Sequence, residues 1–312
     1  MLVPFAACAA AACREATRGL RLPQLQRLLA RLVPDGEDDG PTTSLSPPHE
    51  RALARACGLE PVDGRIPLAA WQLRQEGRDP GQEALAWVTP CHWRVGRDNI
   101  VMAHPRELQL DDDGSRALLA AMEPYFAEDG ITLAYQAPLR WLARGEPIRA
   151  LPTASLDRVI GRRIDDWLPR GEAGRPIRRL QQEMQMLLYT LPLNEDRARA
   201  GLLPVNSFWV SGSGALPAVA PSQAPGGLRV PTSLRDPALL DDGPAWQAAW
   251  QELDAGECAR LAADLEAGRP VRLTLCGESR ARSWSSAGAG LWHRLGSVFA
   301  RPAPPAVLEA LG

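Results

Sequence analysis

The sequence predicts a mixed α/β chain, because stretches with the pattern of strands alternate with stretches with the pattern of helices. Near the start, Leu2 to Phe5 forms a short apolar run, and residues 22–32 (LPQLQRLLARL) place their leucines on one helical face. Further on, a helical pattern from Ser115 to Phe126 ends at an Asp-Gly turn. The apolar run from Ile131 to Tyr135 then follows as a strand. Each of these units is typical of a sheet covered by helices.

The remaining elements extend this alternation to the end of the chain. The other predicted strands are short apolar runs at Leu85–Thr89, Asn99–Met102, Val205–Val210 and Val271–Cys276. The other predicted helices run from Pro47 to Gly58, from Pro176 through the next dozen residues, and from Pro244 to Leu265. Residues 35–48 and 215–237 are rich in Pro, Gly and polar residues and are predicted as loops, and the last dozen residues are expected to fray.

Composition excludes several classes of protein. The chain has 312 residues, 45% of them hydrophobic, and a formal charge of −2, so we expect a globular protein that binds neither nucleic acid nor an anionic membrane. All 35 basic residues are arginine, which a GC-rich genome explains as well as phosphate recognition does. Six cysteines without a C-x-x-C pair predict neither a disulfide framework nor a zinc site. The N-terminus lacks the positive region of a secretion signal, which favours a cytoplasmic location.

One short run, residues 191–217 (LPLNEDRARAGLLPVNSFWVSGSGALP), carries groups that bind small oxyanions. Glycines let backbone N–H groups converge on an anion, hydroxyls add donors, and a guanidinium supplies charge and a bidentate fork. Two tryptophans beside polar turns could stack on a base or a sugar ring. The candidate ligand-binding residues are therefore Asn194, Arg197, Asn206, Ser211, Gly212, Ser213, Gly214, Trp93 and Trp209.

The spacing in this run resembles that of archaeal-type cofactor-independent phosphoglycerate mutases, which belong to the alkaline phosphatase superfamily. Those proteins carry H-P-x-N-x-x-R-x-x-x-G-x-x-P-x-N followed by R-G-x-G. The positions in register are Pro192, Asn194, Arg197, Gly201, Pro204, Asn206, Gly212 and Gly214. This chain has Leu191 in place of the histidine and Ser211 in place of the second arginine, so the positive charge of the block is reduced.

A second resemblance covers nearly the whole chain. Segments such as SPPHERALARACGL, TPCHWRVGRDNIVM and LPTASLDRVIGRRIDDWLP look like those of the RpfE type, a family of uncharacterised bacterial proteins. Its members are often labelled phosphoglycerate mutase or regulatory protein. The resemblance names relatives without naming a reaction.

The mutase resemblance also implies a two-domain architecture and a catalytic site with two metal ions. It implies an alkaline-phosphatase-like sheet domain, residues 1–98 and 214–312, with a smaller α+β domain, 99–213, inserted into it. It also implies two divalent metals on Asp and His ligands. This chain has only four histidines, none in a D-x-x-x-H or D-H segment, and has PFAAC where the family has Asp-Gly. We therefore predict a degenerate site with no metal and no cofactor.

A cysteine and a histidine after the strand at residue 85 are a weaker catalytic candidate. Cys91 and His92 are adjacent, and adjacent residues in an extended chain point to opposite faces, so a packed Cys91 and a hydrogen-bonded His92 are favoured over a nucleophile and base. Asp111 to Asp113 are predicted to precede a helix as a solvated turn.

Three functions remain open from the sequence. The favoured one is a non-catalytic, phosphoglycerate-mutase-like regulatory protein that binds a phosphorylated metabolite or a protein partner. The second is an active phosphotransferase or phosphomutase in which Arg197, His92 and the glycine turn position phosphate. The third is a scaffold that makes contacts through residues 215–237 and the helix at Trp250. Neither the ligand, the partner nor the oligomeric state follows from the sequence.

Overall fold

The computed structural model describes residues 1–218, 226–287 and 303–312. The predicted mixture of helices and sheets is confirmed. The chain divides into two compact units. Unit 1 comprises Met1–Thr42, Pro47–Ala56 and Pro225–Gly312, and unit 2 comprises Thr43–Ser46 and Cys57–Ala224.

The elements follow in chain order. The strands are β1 Leu2–Val3, β2 Val33–Asp39, β3 Leu85–Cys91, β4 Trp93–Val95, β5 Ile100–Met102, β6 Thr132–Ala137, β7 Arg140–Arg144, β8 Ser207–Gly214, β9 Arg272–Cys276 and β10 Arg280–Ser285. The first helices are α1 Ala11–Arg18, α2 Pro23–Arg31, α3 Pro48–Ala56, α4 Leu68–Gln75, α5 Asp112–Glu128 and α6 Leu156–Val159. The later helices are α7 Gly171–Tyr189, α8 Pro192–Arg199, α9 Arg235–Leu239, α10 Gly243–Leu253, α11 Ala259–Glu266 and α12 Pro304–Glu309.

The unit boundaries lie elsewhere than the predicted domain boundaries at 98/99 and 213/214. The prediction assigned strand β3 to the sheet domain of residues 1–98 and 214–312. In the structure, β3 pairs antiparallel with both β7 and β8 inside the sheet of unit 2. A boundary at 98/99 would separate β3 from both of its neighbours. The alternation of elements along a chain does not reveal such pairing, because it says nothing about which strands are adjacent.

Unit 1 contains a four-stranded sheet in the order β1-β9-β10-β2. Strand β1 runs parallel to β9, and the other two pairs are antiparallel. One face of the sheet, which includes Leu273 and Leu275, packs into a core with Leu25 of α2 and with Trp246 and Trp250 of α10. The two indoles donate to the carbonyls of residues 5 and 6, both at 3.1 Å, so each polar edge is satisfied inside the core.

A long helix in unit 1 changes its winding at a buried aspartate. Helix α10, a π-helical segment Asp254–Cys258 and α11 follow one another without a break. The side chain of Asp254 accepts hydrogen bonds from the backbone N–H groups of Gln24, at 3.1 Å, and Leu25, at 2.7 Å. These groups belong to the first turn of α2, which lacks a capping side chain of its own. Asp254 therefore caps a helix that lies far away in sequence.

The prediction of a loop at residues 35–48 is wrong for its first part, because residues 33–39 form the outer strand β2. Strand β2 carries four acidic residues, and Arg282 of the neighbouring strand β10 pairs with two of them. Arg282 contacts Asp39 at 2.6 Å and Glu37 at 3.2 Å. Cross-strand ion pairs of this kind stabilise a polar edge strand that composition alone describes as a loop.

Unit 2 contains a four-stranded antiparallel sheet in the order β6-β7-β3-β8 and a separate two-stranded pair, β4-β5. The core of this unit includes Phe126 of α5, Trp141 of β7, Met184 of α7 and Phe208 of β8. The rings of Phe126 and Phe208 lie 4.9 Å apart, and the Trp141 indole donates to Ser115 at 2.9 Å.

Three local predictions in the second half of the chain are wrong. Helix α7 begins at Gly171, so Pro176 lies inside it rather than in its first turn. The S-G-S-G sequence continues β8 to Gly214 instead of forming a turn. Residues 304–309 form α12 instead of fraying, because Leu308 and Leu311 are buried in the core of unit 1.

Candidate functional site

Asn194, the first of the candidate oxyanion ligands, is used to hold backbone in unit 2. Its amide nitrogen donates to the carbonyls of Leu188, at 2.8 Å, and Val205, at 2.6 Å. Its amide oxygen accepts from the N–H of Val205 at 2.9 Å. The side chain is buried, and these three bonds join the end of α7 to the segment before β8.

Arg197 is also buried and also contacts backbone. Its Nε donates to the carbonyl of Leu203 at 3.1 Å, and its Nη2 donates to the carbonyls of Leu203 and Leu108. Burial lowers the pKa of the guanidinium, and the nearby charge of Asp111 opposes that effect. These contacts fix the loop after α8 and take up part of the donor capacity of the guanidinium.

Asn206 replaces a neighbouring strand at the edge of β4. Its amide oxygen accepts from the N–H of Trp93 at 2.7 Å, and its amide nitrogen donates to the carbonyl of Trp93 at 2.9 Å. This pair of bonds is the one that a strand partner would make with Trp93.

Three candidates line one apolar groove, which is defined here by Trp93, Leu188, Tyr189, Asn194 and Asn206. Its cavity volume is about 460 Å³. Trp93, Asn194 and Asn206 thus lie on one groove, but the two amides make their hydrogen bonds to the backbone.

The S-G-S-G residues occupy the end of β8. Ser213 is buried and donates to the carbonyl of Leu151 at 2.6 Å, with the hydroxyl of Thr153 at 2.9 Å. Gly212 has a φ of +62°, and a Cβ there would lie 3.2 Å from the backbone nitrogen of Ala69. Close packing against α4 therefore accounts for this glycine. Ser211 pairs with Trp87, and Gly214 pairs with Leu85 across a register shift.

The remaining candidates in unit 2 are held by single contacts. Nδ1 of His92 lies 2.8 Å from the carbonyl of Pro204, and the Trp209 indole donates to the carbonyl of Ala154 at 3.0 Å. Cys91 is fully buried, and burial raises the pKa of its thiol, although the Trp93 side chain lowers it in part. The packed Cys91 and the hydrogen-bonded His92 that the sequence favoured are both observed.

A pocket lined by several charged side chains lies in unit 1, on the sheet face opposite the core. We call it the sheet-face pocket, and its cavity volume is about 560 Å³. Leu2, Thr274, Ala281 and Ser283 form its floor. The hydroxyls of Thr274 and Ser283 lie 2.8 Å apart and hydrogen-bond to each other. The floor therefore presents two hydroxyl groups between apolar side chains.

Four arginines from three separate parts of the chain line this pocket. They are Arg55, Arg229, Arg269 and Arg272. Each also contacts a carboxylate: Arg55 pairs with Asp38, Arg229 and Arg269 pair with Asp264, and Arg272 pairs with Asp35 at 3.1 Å. A guanidinium has five N–H donors. Among the described residues, Arg272 contacts both the carboxylate and the carbonyl of Asp35 through the same nitrogen, Nη2. The N–H groups on Nε and Nη1 of Arg272 therefore remain for a ligand.

The amino group of Met1, at the wall of the pocket, reports the charge there. It donates to the carbonyl of Arg272 at 2.7 Å. Burial, together with the charges of Arg229 and Arg272, lowers its pKa from 8.0 to about 6. Arg229 and Arg272 thus add positive charge at this wall of the pocket, and positive charge favours the binding of an anion.

Asp38, also at this pocket, forms a buried ion pair. It contacts Arg51 at 2.8 Å and also pairs with Arg55. Burial disfavours the charged carboxylate, but the hydrogen bonds and charges of Arg51 and Arg55 outweigh burial and hold the pKa of Asp38 below its usual value. Asp38 therefore stabilises the fold above the ordinary aspartate pKa of about 4, and this contribution is lost as the pH falls through the lowered pKa.

We expect the free energy of unfolding to fall more steeply in the wild type than in Asp38→Asn as the pH drops below about 4. Urea unfolding at a series of pH values measures both slopes. Asp113→Asn, on the exposed first turn of α5, controls for the change of net charge. If the free energy of unfolding depended on pH equally in the wild type and Asp38→Asn, the lowered pKa of Asp38 would be contradicted.

The histidines that the structure describes lie in separate surroundings. The His49 ring lies 5.1 Å from that of Phe5, His92 contacts Pro204, and His104 accepts from the N–H of Arg106 at 3.2 Å. Within residues 1–218, 226–287 and 303–312, no group of three or more His, Cys, Asp or Glu side chains is placed to hold a metal ion. His293 and residues 219–225 of the predicted contact loop lie outside the described residues. Across the described residues, no helix combines the length and apolarity needed to cross a membrane.

The sequence did not identify the sheet-face pocket. Its arginines are spread between residues 55 and 272, and the pairing of β9 with β1 and of β10 with β2 brings these distant parts of the chain together. The one local signal was the pair Arg269 and Arg272 beside a strand, which the arginine-rich composition hid.

Comparison with known proteins gives distant likenesses in structure. Neither protein-family models nor curated proteins match the sequence. Similar solved structures include the cofactor-independent phosphoglycerate mutase from Thermoplasma acidophilum DSM 1728, with 12% identity, a TM-score of 0.37 and coverage of 99% of this chain and 98% of that chain. They also include the PH0037 protein from Pyrococcus horikoshii, with 12% identity, a TM-score of 0.45 and coverage of 91% and 86%. Likenesses at these values carry no inference about activity, and the resemblance to RpfE-type proteins stays a prediction.

Proposed function

We propose that this chain is a regulatory protein that binds a phosphorylated small molecule in the sheet-face pocket of unit 1. The observation that carries the proposal is the convergence of four arginines around two floor hydroxyls in one cavity of about 560 Å³. Guanidinium groups and hydroxyls are the donors that phosphate oxygens prefer, and the cavity has the size of a metabolite site.

The proposal assigns different work to the two parts of the molecule. The arginines of the sheet-face pocket, Arg272 among them, contact the phosphate. The predicted ligands Asn194, Arg197 and Asn206 instead hold the backbone of unit 2 in place. The ligand class is the one that the sequence predicted, and the site moves from residues 194–214 to unit 1. A ligand that binds only the folded chain would stabilise the fold, which makes its binding measurable as a thermal shift.

We expect phosphorylated metabolites to raise the melting temperature of the full chain with increasing concentration, and Arg272→Gln to weaken that binding at least tenfold. The loss of one charge-assisted hydrogen bond, about 1.5–3 kcal/mol, corresponds to such a change. Scanning calorimetry with a panel of phosphate compounds, followed by titration calorimetry, measures both effects.

Arg18→Gln is the matched control. Arg18 is an exposed arginine of α1, is paired with Glu15 at 2.5 Å, and does not line the pocket. The control should bind as the wild type does. The absence of any thermal shift across the panel, or equal losses in the two variants, would be inconsistent with the proposed site.

A further inference from the structure

Apart from its charged side chains, the sheet-face pocket is lined largely by apolar side chains. On the floor, Leu2 and Ala281 are buried, and Leu228 and Ala52 pack against them. Leu261 and Val271 continue the apolar lining. Apolar side chains therefore enclose the part of the cavity beyond the phosphate-binding groups.

The carboxylates of the lining, which are the acceptors that the hydroxyls of a sugar would use, are already paired with arginines. Asp38 is held by Arg51 and Arg55, and Asp264 is held by Arg229 and Arg269. Glu37 contacts Arg282 at 3.2 Å. A sugar or another polyol needs hydrogen-bond partners for each hydroxyl that it buries, and a buried hydroxyl without one is costly.

The volume also exceeds what a free anion fills. A cavity of about 560 Å³ has the size of a site for a whole small molecule. A ligand that fills it must place its remaining atoms against the apolar walls, where removal of apolar surface from water favours binding.

We infer that the ligand of the sheet-face pocket is a phosphate monoester with an apolar body, such as an aryl or alkyl group, and not a polyol phosphate. The inference rests on the proposed function, since it names the ligand class of the same site. The phosphate contacts the arginines and the floor hydroxyls, and the apolar body lies against Leu228, Ala52 and Ala281.

The test compares three probes with one phosphate group each: inorganic phosphate, phenyl phosphate and glycerol 3-phosphate. Titration calorimetry on the full chain should show phenyl phosphate binding at least tenfold more tightly than glycerol 3-phosphate. Leu228→Ser should remove about tenfold of the affinity for phenyl phosphate and leave inorganic phosphate unchanged, because it alters only the apolar wall. Arg272→Gln should weaken all three probes.

Two further variants keep the test interpretable. Ala52→Ser on α3 alters the same wall with a smaller change and replaces Leu228→Ser if that variant does not fold. Leu240→Ser changes an exposed leucine outside the pocket and should bind as the wild type does. Equal affinity for phenyl phosphate and glycerol 3-phosphate would overturn the inference while the proposed function stands. If none of the probes binds, both fail.

Discussion

Asn194→Ala should lower the free energy of unfolding by about 3–4 kcal/mol, one of the two largest losses that we expect from a single substitution. The alanine would leave the carbonyls of Leu188 and Val205 and the N–H of Val205 without their partner in a buried site. A buried polar group that loses its hydrogen bond costs about 1–3 kcal/mol. Urea unfolding of the purified variant measures the change.

Two companion variants separate a structural role from a binding role. Asn194→Asp keeps the acceptor for Val205 but directs a carboxylate oxygen at two carbonyls, so it should be at least as destabilising as alanine. Asn206→Ala removes two bonds at a half-buried position and should cost about 1–2 kcal/mol. A stable Asn194→Ala protein would instead favour a ligand-binding role for Asn194.

Asp254→Ala should cost about 3 kcal/mol, because it removes the cap of α2 from inside the core of unit 1. The N–H groups of Gln24 and Leu25 would lose their acceptor, and Leu25 is fully buried. A lost cap costs about 0.5–2 kcal/mol and an unsatisfied buried donor about 1–3 kcal/mol. Asp242→Ala, which removes the cap of α10 at an exposed site, is the matched control and should cost about 1 kcal/mol.

The protonation of Asp254 adds a second readout. Burial raises the pKa of this carboxyl, and the N–H groups of Leu25 and Gln24 oppose the shift in part. A raised pKa in the folded state means that the contribution is complete below the ordinary value of about 4 and declines as the pH rises through the raised pKa. The stability advantage of the wild type over Asp254→Asn should therefore shrink as the pH rises above about 4. An advantage that grows with pH would show that the sign of the shift is wrong.

Sequence patterns predicted the elements of the fold better than its contacts. The leucine spacing of residues 22–32 and the tryptophans of the Pro244–Leu265 helix predicted α2 and the helix that begins with α10, because one buried face imposes the helical period. Strand β2 was missed because two of its acids, Glu37 and Asp39, pair with Arg282, nearly 250 residues away, and no local pattern records such a partner. The π-helical segment was missed because its residues continue the helical period.

The contacts of the predicted ligand-binding residues could not be read from the sequence either. The sequence selected Asn194, Arg197 and Asn206 as polar groups in a glycine-containing run, and the structure shows each of them hydrogen-bonded to backbone. Residue type and spacing give the chemistry that a side chain can perform. They do not show whether backbone or a ligand receives its hydrogen bonds. The sheet-face pocket was missed because its lining residues come together only in the folded unit.

The strand order of unit 1 determines when this unit can form during synthesis. Strand β1 begins at residue 2, but its only partner in the described sheet is β9, at residues 272–276. The ribosome has therefore made every strand of unit 2 before β1 has a neighbour with which to pair. Until then the leucines of α2 and the edge of β1 stay exposed, because Trp246, Trp250 and Leu273, which cover the leucines in the core, are synthesised later. The nascent segment that holds β1 and α2 thus needs protection from aggregation until the residues up to Cys276 have been made.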